Sequence, residues 1–189
     1  MLGIGIVGMP GSGKSIFSTV AKKYGIPVFV MGDAVREEVT NRGLKLTSEN
    51  LMKVAEDLRR KYGRGAVAVL IVNKLKKLSS KNALPNIVII EGLRSPEERE
   101  ILRDFFDKFY IVAIHASPQT RYERILARKR LDDFGSVSEL RKRDQKELGF
   151  GIGELLAMAD FHLVNEDKSI ETFTKECEDL LKKILSLDC

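Results

Sequence analysis

Residues 3–15 read GIGIVGMPGSGKS, and this stretch decides how the rest of the chain is organised. Its apolar opening, residues 3–8, predicts a short buried strand. A glycine-rich turn follows, and after Ser15 the sequence takes on a helical pattern. The stretch therefore predicts a strand, a tight loop and a helix in direct succession.

The loop matches the spacing G-x-x-x-x-G-K-[ST]. Glycines let backbone N–H groups approach phosphate oxygens closely, and the first turn of the helix adds unpaired N–H groups and the positive end of its dipole. Lys14 supplies a cation for the β- and γ-phosphates, and the Ser15 hydroxyl is a candidate ligand for Mg²⁺. We therefore predict that eight consecutive residues bind nucleotide phosphates: Gly8, Met9, Pro10, Gly11, Ser12, Gly13, Lys14 and Ser15.

The composition, with 43% hydrophobic and 31% charged residues among 189, is typical of a globular domain. No apolar run approaches the roughly 20 residues that span a bilayer. Two cysteines, Cys177 and Cys189, do not form a disulfide framework. We therefore expect one domain over residues 1–189, in the cytoplasm and away from membranes.

The formal net charge of +5 has two interpretations. One is nucleic-acid binding, and the other is a cationic cleft for a polyanionic small molecule. Basic residues are spread over the predicted helices and mixed with acidic ones, with one concentration after residue 120. This distribution favours the cleft or a solvated surface, so a nucleic-acid partner is not expected.

Further apolar runs predict four more strands, over residues 28–31, 86–91, 109–115 and 159–165. Four consecutive aliphatic residues, 87–90, are typical of a parallel strand buried on both faces. Predicted helices separate the strands, including two over residues 47–62 and 66–78 and one opened by Ser95-Pro96. This alternation is typical of an α/β fold.

Charged residues follow the second and third predicted strands, at the strand ends that face the ligand crevice in open parallel sheets. Asp33 and Arg36 share a helix face and are candidates for binding a phosphate-bearing acceptor; alternatively, Asp33 is the N-cap of its helix. Glu91 is a candidate for holding Mg²⁺ directly or through water. Arg94 is predicted to bind the acceptor phosphate, with a surface salt bridge as the alternative.

A series of basic residues at three- and four-residue spacing, Arg121, Arg124 and Arg128, leads into a polar stretch. Further basic residues return on the next predicted helix, at 141–143. This layout predicts a small helical lid over about residues 128–145 that closes over phosphates, with Arg128 acting on the transferred group. A solvated charged face is the alternative.

The phosphate loop, the Asp33 element, residues 91–94 and the later arginines together resemble the nucleoside monophosphate kinase branch of the P-loop kinases. In adenylate-kinase-like proteins a Gly-Asp-x-x-x-Arg-like element binds the acceptor phosphate, and Gly32, Asp33 and Arg36 are similar to it. Their acidic-Gly-x-x-Arg element is similar to EGLR at residues 91–94, which has Glu for Asp and is one residue shorter.

The chain also resembles dephospho-coenzyme A kinases, in GIVG at residues 5–8 and in Ala159-Asp160 with the following Asn165. An archaeal group of kinase-like P-loop proteins lies between the two families, and the resemblance to it covers most of the chain. It implies a three-layer αβα P-loop NTPase fold, with a five-stranded parallel sheet of order 2-3-1-4-5 and a lid. It also implies an acceptor-binding helical region over about residues 33–80.

Two hypotheses follow for the function. The first is a small-molecule kinase that uses ATP and Mg²⁺ to phosphorylate a nucleotide-like acceptor, either a nucleoside monophosphate or dephospho-coenzyme A. Lys14 and Arg128 would then stabilise the transferred group, and Asp33 would be the base for a hydroxyl acceptor. The second is a nucleotide-binding regulator or slow NTPase with a protein or RNA partner. The acceptor, the choice between ATP and GTP and the oligomeric state stay open.

In the acceptor region, the arginines at positions 59, 60 and 64 are interpreted as solvent-facing charges, with contact to a substrate anion as the alternative. Residues 43–80 match none of the base-recognition sequences of adenylate kinases. The lid also departs from the arginine-aspartate pattern of those enzymes.

Overall fold

The computed structural model describes residues 1–81, 83, 85–128 and 136–187. Strands and helices alternate along these residues. The strands are β1 (Leu2–Val7), β2 (Val28–Val30), β3 (Ile87–Glu91), β4 (Lys108–His115) and β5 (Phe161–Val164). The helices are α1 (Lys14–Lys23), α2 (Met31–Asn41), α3 (Ser48–Tyr62), α4 (Ala66–Ser79), α5 (Pro96–Phe105), α6 (Pro118–Arg128), α7 (Val137–Gly149), α8 (Ile152–Ala157) and α9 (Ile170–Ser186).

The five strands form one parallel sheet in the order β2-β3-β1-β4-β5, which confirms the predicted topology. At its centre Ile4 of β1 lies opposite Ile89 of β3 and Tyr110 of β4. All six residues of β1 are buried, because helices cover both faces of the sheet. Because the strands are parallel, the carboxyl ends of β1, β2 and β3 lie at the same edge of the sheet.

Each face of the sheet has its own core. On one face, side chains of α1 and α9 pack together, with Phe17 and Phe173 fully buried. On the other face, side chains of α2, α3 and α4 share one buried cluster with β3, including Val39, Leu58 and Ile71. The helices of the predicted acceptor region are thus packed on the same core as the sheet. No helix in the described part of the chain is long and apolar enough to cross a membrane.

The junction between β2 and α2 differs from the prediction. Strand β2 has only three residues, and its pairing with β3 ends at Val30 opposite Glu91. Because Val30 is still extended, it is the N-cap, and the helix begins at Met31. The N-cap interpretation of Asp33 is therefore wrong: Asp33 lies within the first turn of α2, where its negative charge favours the positive end of the helix dipole.

Candidate functional site

The loop between β1 and α1 is shaped by glycines at positions where a side chain would not fit. A Cβ at Gly8 would lie 2.4 Å from Ser12 Oγ and 2.7 Å from the carbonyl oxygen of Ile114. Gly13 has φ of 103°, and a Cβ there would lie 2.3 Å from Asn165 Nδ2. Local crowding therefore requires glycine at both fixed positions of the motif, Gly8 and Gly13, and at Gly13 the positive φ requires it as well.

Lys14 folds back over this loop. Its Nζ donates hydrogen bonds to the carbonyl oxygens of Gly8 (2.7 Å) and Met9 (3.2 Å). Burial lowers the pKa of Lys14 to about 8, although the nearby carboxylates of Glu91 and Glu147 partly oppose this shift. Phosphate oxygens can replace these two carbonyl oxygens as acceptors, so the ammonium group of Lys14 is placed to bind an anion.

Side chains from the far end of the chain hold the loop in place. Asn165, which follows β5 and is buried, donates from Nδ2 to the carbonyl oxygen of Ser12 at 2.9 Å. Arg124 of α6 donates in turn to the carbonyl oxygen of Asn165 at 3.1 Å. The loop conformation therefore depends on α6 and β5 as well as on its own sequence.

Arg121 takes a structural position and does not belong to a cationic surface that faces phosphates, so this part of the lid prediction is wrong. Its guanidinium is buried and makes two hydrogen bonds to Asp144 of α7, at 3.0 and 2.5 Å. It also donates to the carbonyl oxygen of Pro10 at 3.1 Å, while the Tyr122 hydroxyl donates to Asp144 at 2.8 Å. A buried guanidinium needs such a partner, and Asp144 supplies it.

Two adjoining cavities open at the carboxyl ends of the strands. The loop cavity, of about 360 Å³, is lined by the phosphate loop and by Lys14, Ser15, Glu91, Arg124 and Arg128. The side cavity, of about 200 Å³, lies between α2, α3 and α7. Six of the described residues line both cavities and form their common boundary: Gly32, Arg36, Gly92, Arg94, Arg143 and Glu147.

The structure brings most predicted site residues to these cavities, but Met9, Ser12 and Asp33 line neither of them. Arg36 and Arg94 line both cavities, and Glu91 lines the loop cavity. Asp33 is not among the residues that line either cavity, and its carboxylate accepts a hydrogen bond from Arg36 at 2.7 Å. Asp33 is therefore placed to orient Arg36, and a direct contact with an acceptor would require a rearrangement.

The loop cavity also presents oxygen donors of the kind that Mg²⁺ prefers. Ser15 is exposed and lines the loop cavity, and the Glu91 carboxylate accepts a hydrogen bond from Ser18 at 2.5 Å, which restrains the carboxylate. Among the described residues, two buried polar atoms of this region have no hydrogen-bond partner, Ser12 Oγ and Arg124 Nη1. A carboxylate, a hydroxyl and unpaired donors fit a bound metal–phosphate group.

Several residues of the side cavity were not recognised in the sequence. Glu147 of α7 is buried, and its Oε1 lies 3.4 Å from Arg94 Nη1. Arg59 is half-buried, with its guanidinium 4.2 Å from the ring centroid of Phe150, so its interpretation as a solvent-facing charge is wrong. No local pattern marks Glu147 or Arg59, because each meets its partner, Arg94 or Phe150, from a distant part of the chain.

Glu98 is the exception, since a sequence signal does exist for it. Ser95 and Glu98 have the spacing of a capping box, and Ser95 Oγ accepts the hydrogen bond of the Glu98 backbone N–H at 3.3 Å. The Glu98 carboxylate accepts from the backbone N–H of Arg94 at 2.7 Å. Burial raises the pKa of Glu98 to about 7.

Only part of the predicted lid can be placed. Arg128 ends α6 and lines the loop cavity, and α7 contributes Arg143 and Glu147 to both cavities. Residues 129–135, the turn of the predicted lid, lie outside the described residues. The prediction that this segment closes over phosphates stays a prediction.

Sequence comparisons place the chain in a family. The AAA domain family matches residues 7–141. A UPF0200 protein of Pyrococcus abyssi is 46% identical over 182 residues, which cover 95% of each chain. The chain belongs to the UPF0200 family. A second UPF0200 protein, from Thermococcus onnurineus, is 45% identical and covers 96% of this chain and 97% of its own length. The UPF0200 relationship therefore extends over the sheet, both cavities and the closing helix.

Solved structures of kinases share the fold. A dephospho-CoA kinase from Campylobacter jejuni aligns over 100% of both chains with a TM-score of 0.60 and 17% sequence identity. A shikimate kinase from Bacteroides thetaiotaomicron aligns over 96% of this chain and 98% of its own with a TM-score of 0.60 and 16% identity. At these identities the likeness concerns the fold, and it confirms the P-loop kinase fold of this UPF0200 chain.

Proposed function

We propose that this protein is a phosphotransferase that moves the γ-phosphoryl group of ATP to a small anionic acceptor. The observation that carries the proposal is the common boundary of the two cavities. Arg36, Arg94 and Arg143 lie between the phosphate loop and the side cavity, where a donor and an acceptor phosphate would meet. Three cations at this point favour two facing anionic groups, which would otherwise repel each other.

In this arrangement each group has a distinct task. The phosphate loop and Lys14 hold the β- and γ-phosphates, while Arg124 and Arg128 approach them from α6. Ser15 and Glu91 are the residues that would hold Mg²⁺, which supplies charge neutralisation of the phosphates when it is bound. Arg94 and Arg36 hold and orient the acceptor, and Asp33 keeps Arg36 in position through their hydrogen bond.

If the acceptor reacts through a phosphate oxygen, no general base is needed. If it reacts through a hydroxyl, Glu147 is a better placed base than Asp33, because Glu147 lines both cavities and is buried beside Arg94. The sequence-based assignment of Asp33 as the base is thus the less favoured one in this proposal.

The experiment is ADP formation from Mg·ATP, screened with nucleoside monophosphates and dephospho-coenzyme A. Lys14→Ala is the control that removes the loop cation. Acceptor-dependent turnover by the parent protein and its loss in Lys14→Ala would support the phosphotransferase. A slow rate that no acceptor changes would refute it and would favour the alternative, a nucleotide-binding regulator or slow NTPase that acts with a protein or RNA partner.

A further inference from the structure

The side cavity has more positive charge on its wall than one acceptor phosphate requires. Among the described residues, five cationic side chains line it: Arg36, Arg59, Arg94, Arg143 and Lys146. Three of them also line the loop cavity, but Arg59 of α3 and Lys146 of α7 line the side cavity alone. Positive charge therefore extends beyond the boundary where the donor and acceptor phosphates would meet.

Arg59 is held differently from the neighbouring cations. Lys146 pairs with Glu56 at 2.9 Å, and Arg94 lies 3.4 Å from a carboxylate oxygen of Glu147. Within the described part of the chain, Arg59 makes neither a hydrogen bond nor an ion pair. A half-buried guanidinium without a direct anionic partner is unusual, because its desolvation is then uncompensated.

An aromatic ring fixes the position of this guanidinium. Arg59 lies 4.2 Å from the ring centroid of Phe150, and both side chains line the side cavity. A cation–π contact uses the face of the guanidinium, so the N–H groups in its plane remain for a ligand. Burial lowers the pKa of Arg59 although the Glu98 carboxylate acts in the opposite direction, in agreement with a charge that nearby acids compensate only in part.

Much of the remaining wall is apolar, with six such residues among those that line the cavity: Met31, Val35, Leu51, Met52, Ala55 and Val67. Among the described residues of the wall, none is Ser, Thr, Asn, Gln or His, the uncharged polar side chains that bind the hydroxyls of a sugar or polyol. A ligand that matches this wall has an apolar body to which anionic groups are attached.

We propose that the side cavity binds a second anionic group of the acceptor and that Arg59 is the main contact of this group. This inference rests on the proposed phosphotransferase function and names the class of substrate for the same site. The acceptor is then a compound with an apolar body and two oxyanions, one at the boundary beside Arg94 and Arg143 and the other against Arg59. The planar fork of a guanidinium matches both carboxylate and phosphate, so either group is suitable as the second oxyanion.

A purely structural role for Arg59 predicts a different result. If Arg59 only holds α3 against α7 through Phe150, its replacement should weaken the binding of every acceptor by the same factor. If Arg59 binds a second oxyanion, its replacement should weaken only those ligands that carry two. The ratio of the affinities for ligands with two oxyanions and with one therefore separates the two roles.

The experiment is calorimetric binding of aromatic probes at low ionic strength, with Mg·ADP present to occupy the phosphate loop. Phenyl phosphate carries one oxyanion, the meta and para carboxyphenyl phosphates add a carboxylate, and the meta and para phenylene bisphosphates add a phosphate. We expect at least one probe with two oxyanions to bind at least about tenfold more tightly than phenyl phosphate, the effect of one charge-assisted hydrogen bond. Whichever pair of probes shows this preference identifies the second group as a carboxylate or a phosphate.

Arg59→Gln should reduce the affinity ratio at least about fivefold. The matched control is Arg60→Gln, because the neighbouring Arg60 side chain is 83% exposed, pairs with Asp57 at 2.7 Å and lines neither cavity. This control should leave the ratio unchanged. Equal affinity of the parent for phenyl phosphate and for every probe with two oxyanions would overturn the inference, as would an unchanged ratio in Arg59→Gln or the absence of binding of any probe.

The binding measurement does not depend on turnover, so the two proposals can fail separately. If no acceptor raises ADP formation but the preference that depends on Arg59 is present, the phosphotransferase fails and the second anion site stands. If an acceptor raises ADP formation while the preference is absent, the second anion site fails and the phosphotransferase stands.

Discussion

The buried contact between Arg121 and Asp144 should be a major contribution to the stability of this protein. It joins α6 to α7, and the same guanidinium donates to the carbonyl oxygen of Pro10 in the phosphate loop. Replacing Asp144 with alanine leaves Arg121 charged, buried and without its carboxylate partner. Breaking such a pair costs about 3–5 kcal/mol. The Tyr122 hydroxyl also loses its acceptor, which adds about 1 kcal/mol.

The assay is equilibrium urea denaturation at pH 7, because urea does not screen charges. The matched control is Glu56→Ala, which removes the partner of Lys146 in another ion pair of α7, with a distance of 2.9 Å. Both of those side chains are largely exposed, at 42% and 58%, so the loss should stay below about 1 kcal/mol. The affinity for Mg·ATP should also fall in Asp144→Ala, since the loop loses part of its support from Arg121.

The double replacement Arg121→Met with Asp144→Leu tests whether the unpaired charge causes the loss. Apolar residues of similar volume can replace a buried ion pair at little cost, so stability should recover by several kcal/mol relative to Asp144→Ala. The reasoning is refuted if Asp144→Ala lowers the free energy of unfolding by no more than Glu56→Ala does. It is also refuted if the double variant is no more stable than Asp144→Ala.

Three further predictions concern the same site. Burial raises the pKa of Glu98 to about 7, so its ionisation destabilises the folded state as the pH rises. The free energy of unfolding of Glu98→Gln should therefore equal that of the parent near pH 4.5 and exceed it by on the order of 3 kcal/mol at pH 8.5. A difference that does not change with pH would contradict this prediction. Burial lowers the pKa of Lys14 to about 8, and bound phosphates should raise it again, so binding of Mg·ATP at pH 8 should take up roughly half a proton. Binding heats that are equal in buffers of different ionisation enthalpy would contradict this proton uptake. Gly13→Ala should lower the free energy of unfolding, measured by urea denaturation, by about 2–4 kcal/mol and weaken Mg·ATP binding, because it strains a backbone with φ of 103° and displaces Asn165. A loss below about 1 kcal/mol would contradict this prediction and show that the loop relaxes around the added methyl group.

Local patterns in the sequence were sufficient for much of the architecture. The stretch over residues 3–15 predicted a strand, a phosphate loop and a helix, and all three are present. Caps were equally readable: the Ser95 side chain accepts from the backbone N–H of Glu98 at the start of α5, as Ser95-Pro96 indicates. Such features depend on residues within about four positions of one another, so their geometry is encoded locally.

Local sequence patterns did not identify which of two arginines, or which of two acidic residues, lies in the cleft. Arg121 had the spacing of a phosphate-binding residue but is paired with Asp144, whereas Arg143 lines both cavities. Asp33 stood in the expected position but pairs with Arg36, whereas the buried Glu147 lies between the cavities. The resemblance to P-loop kinases located the cleft without identifying which charges enter it.

Local patterns were enough to predict the five strands and the phosphate loop, and the resemblance was enough to predict the topology of the sheet. Which charged side chains face the cleft, and which pair with one another inside the protein, depends on how distant segments pack. The physical reason is that a long charged side chain is placed by its partner. For Arg121 that partner is Asp144, 23 residues away on another helix. The packing of α7 against α3 and α6 therefore sets the chemistry of the cleft.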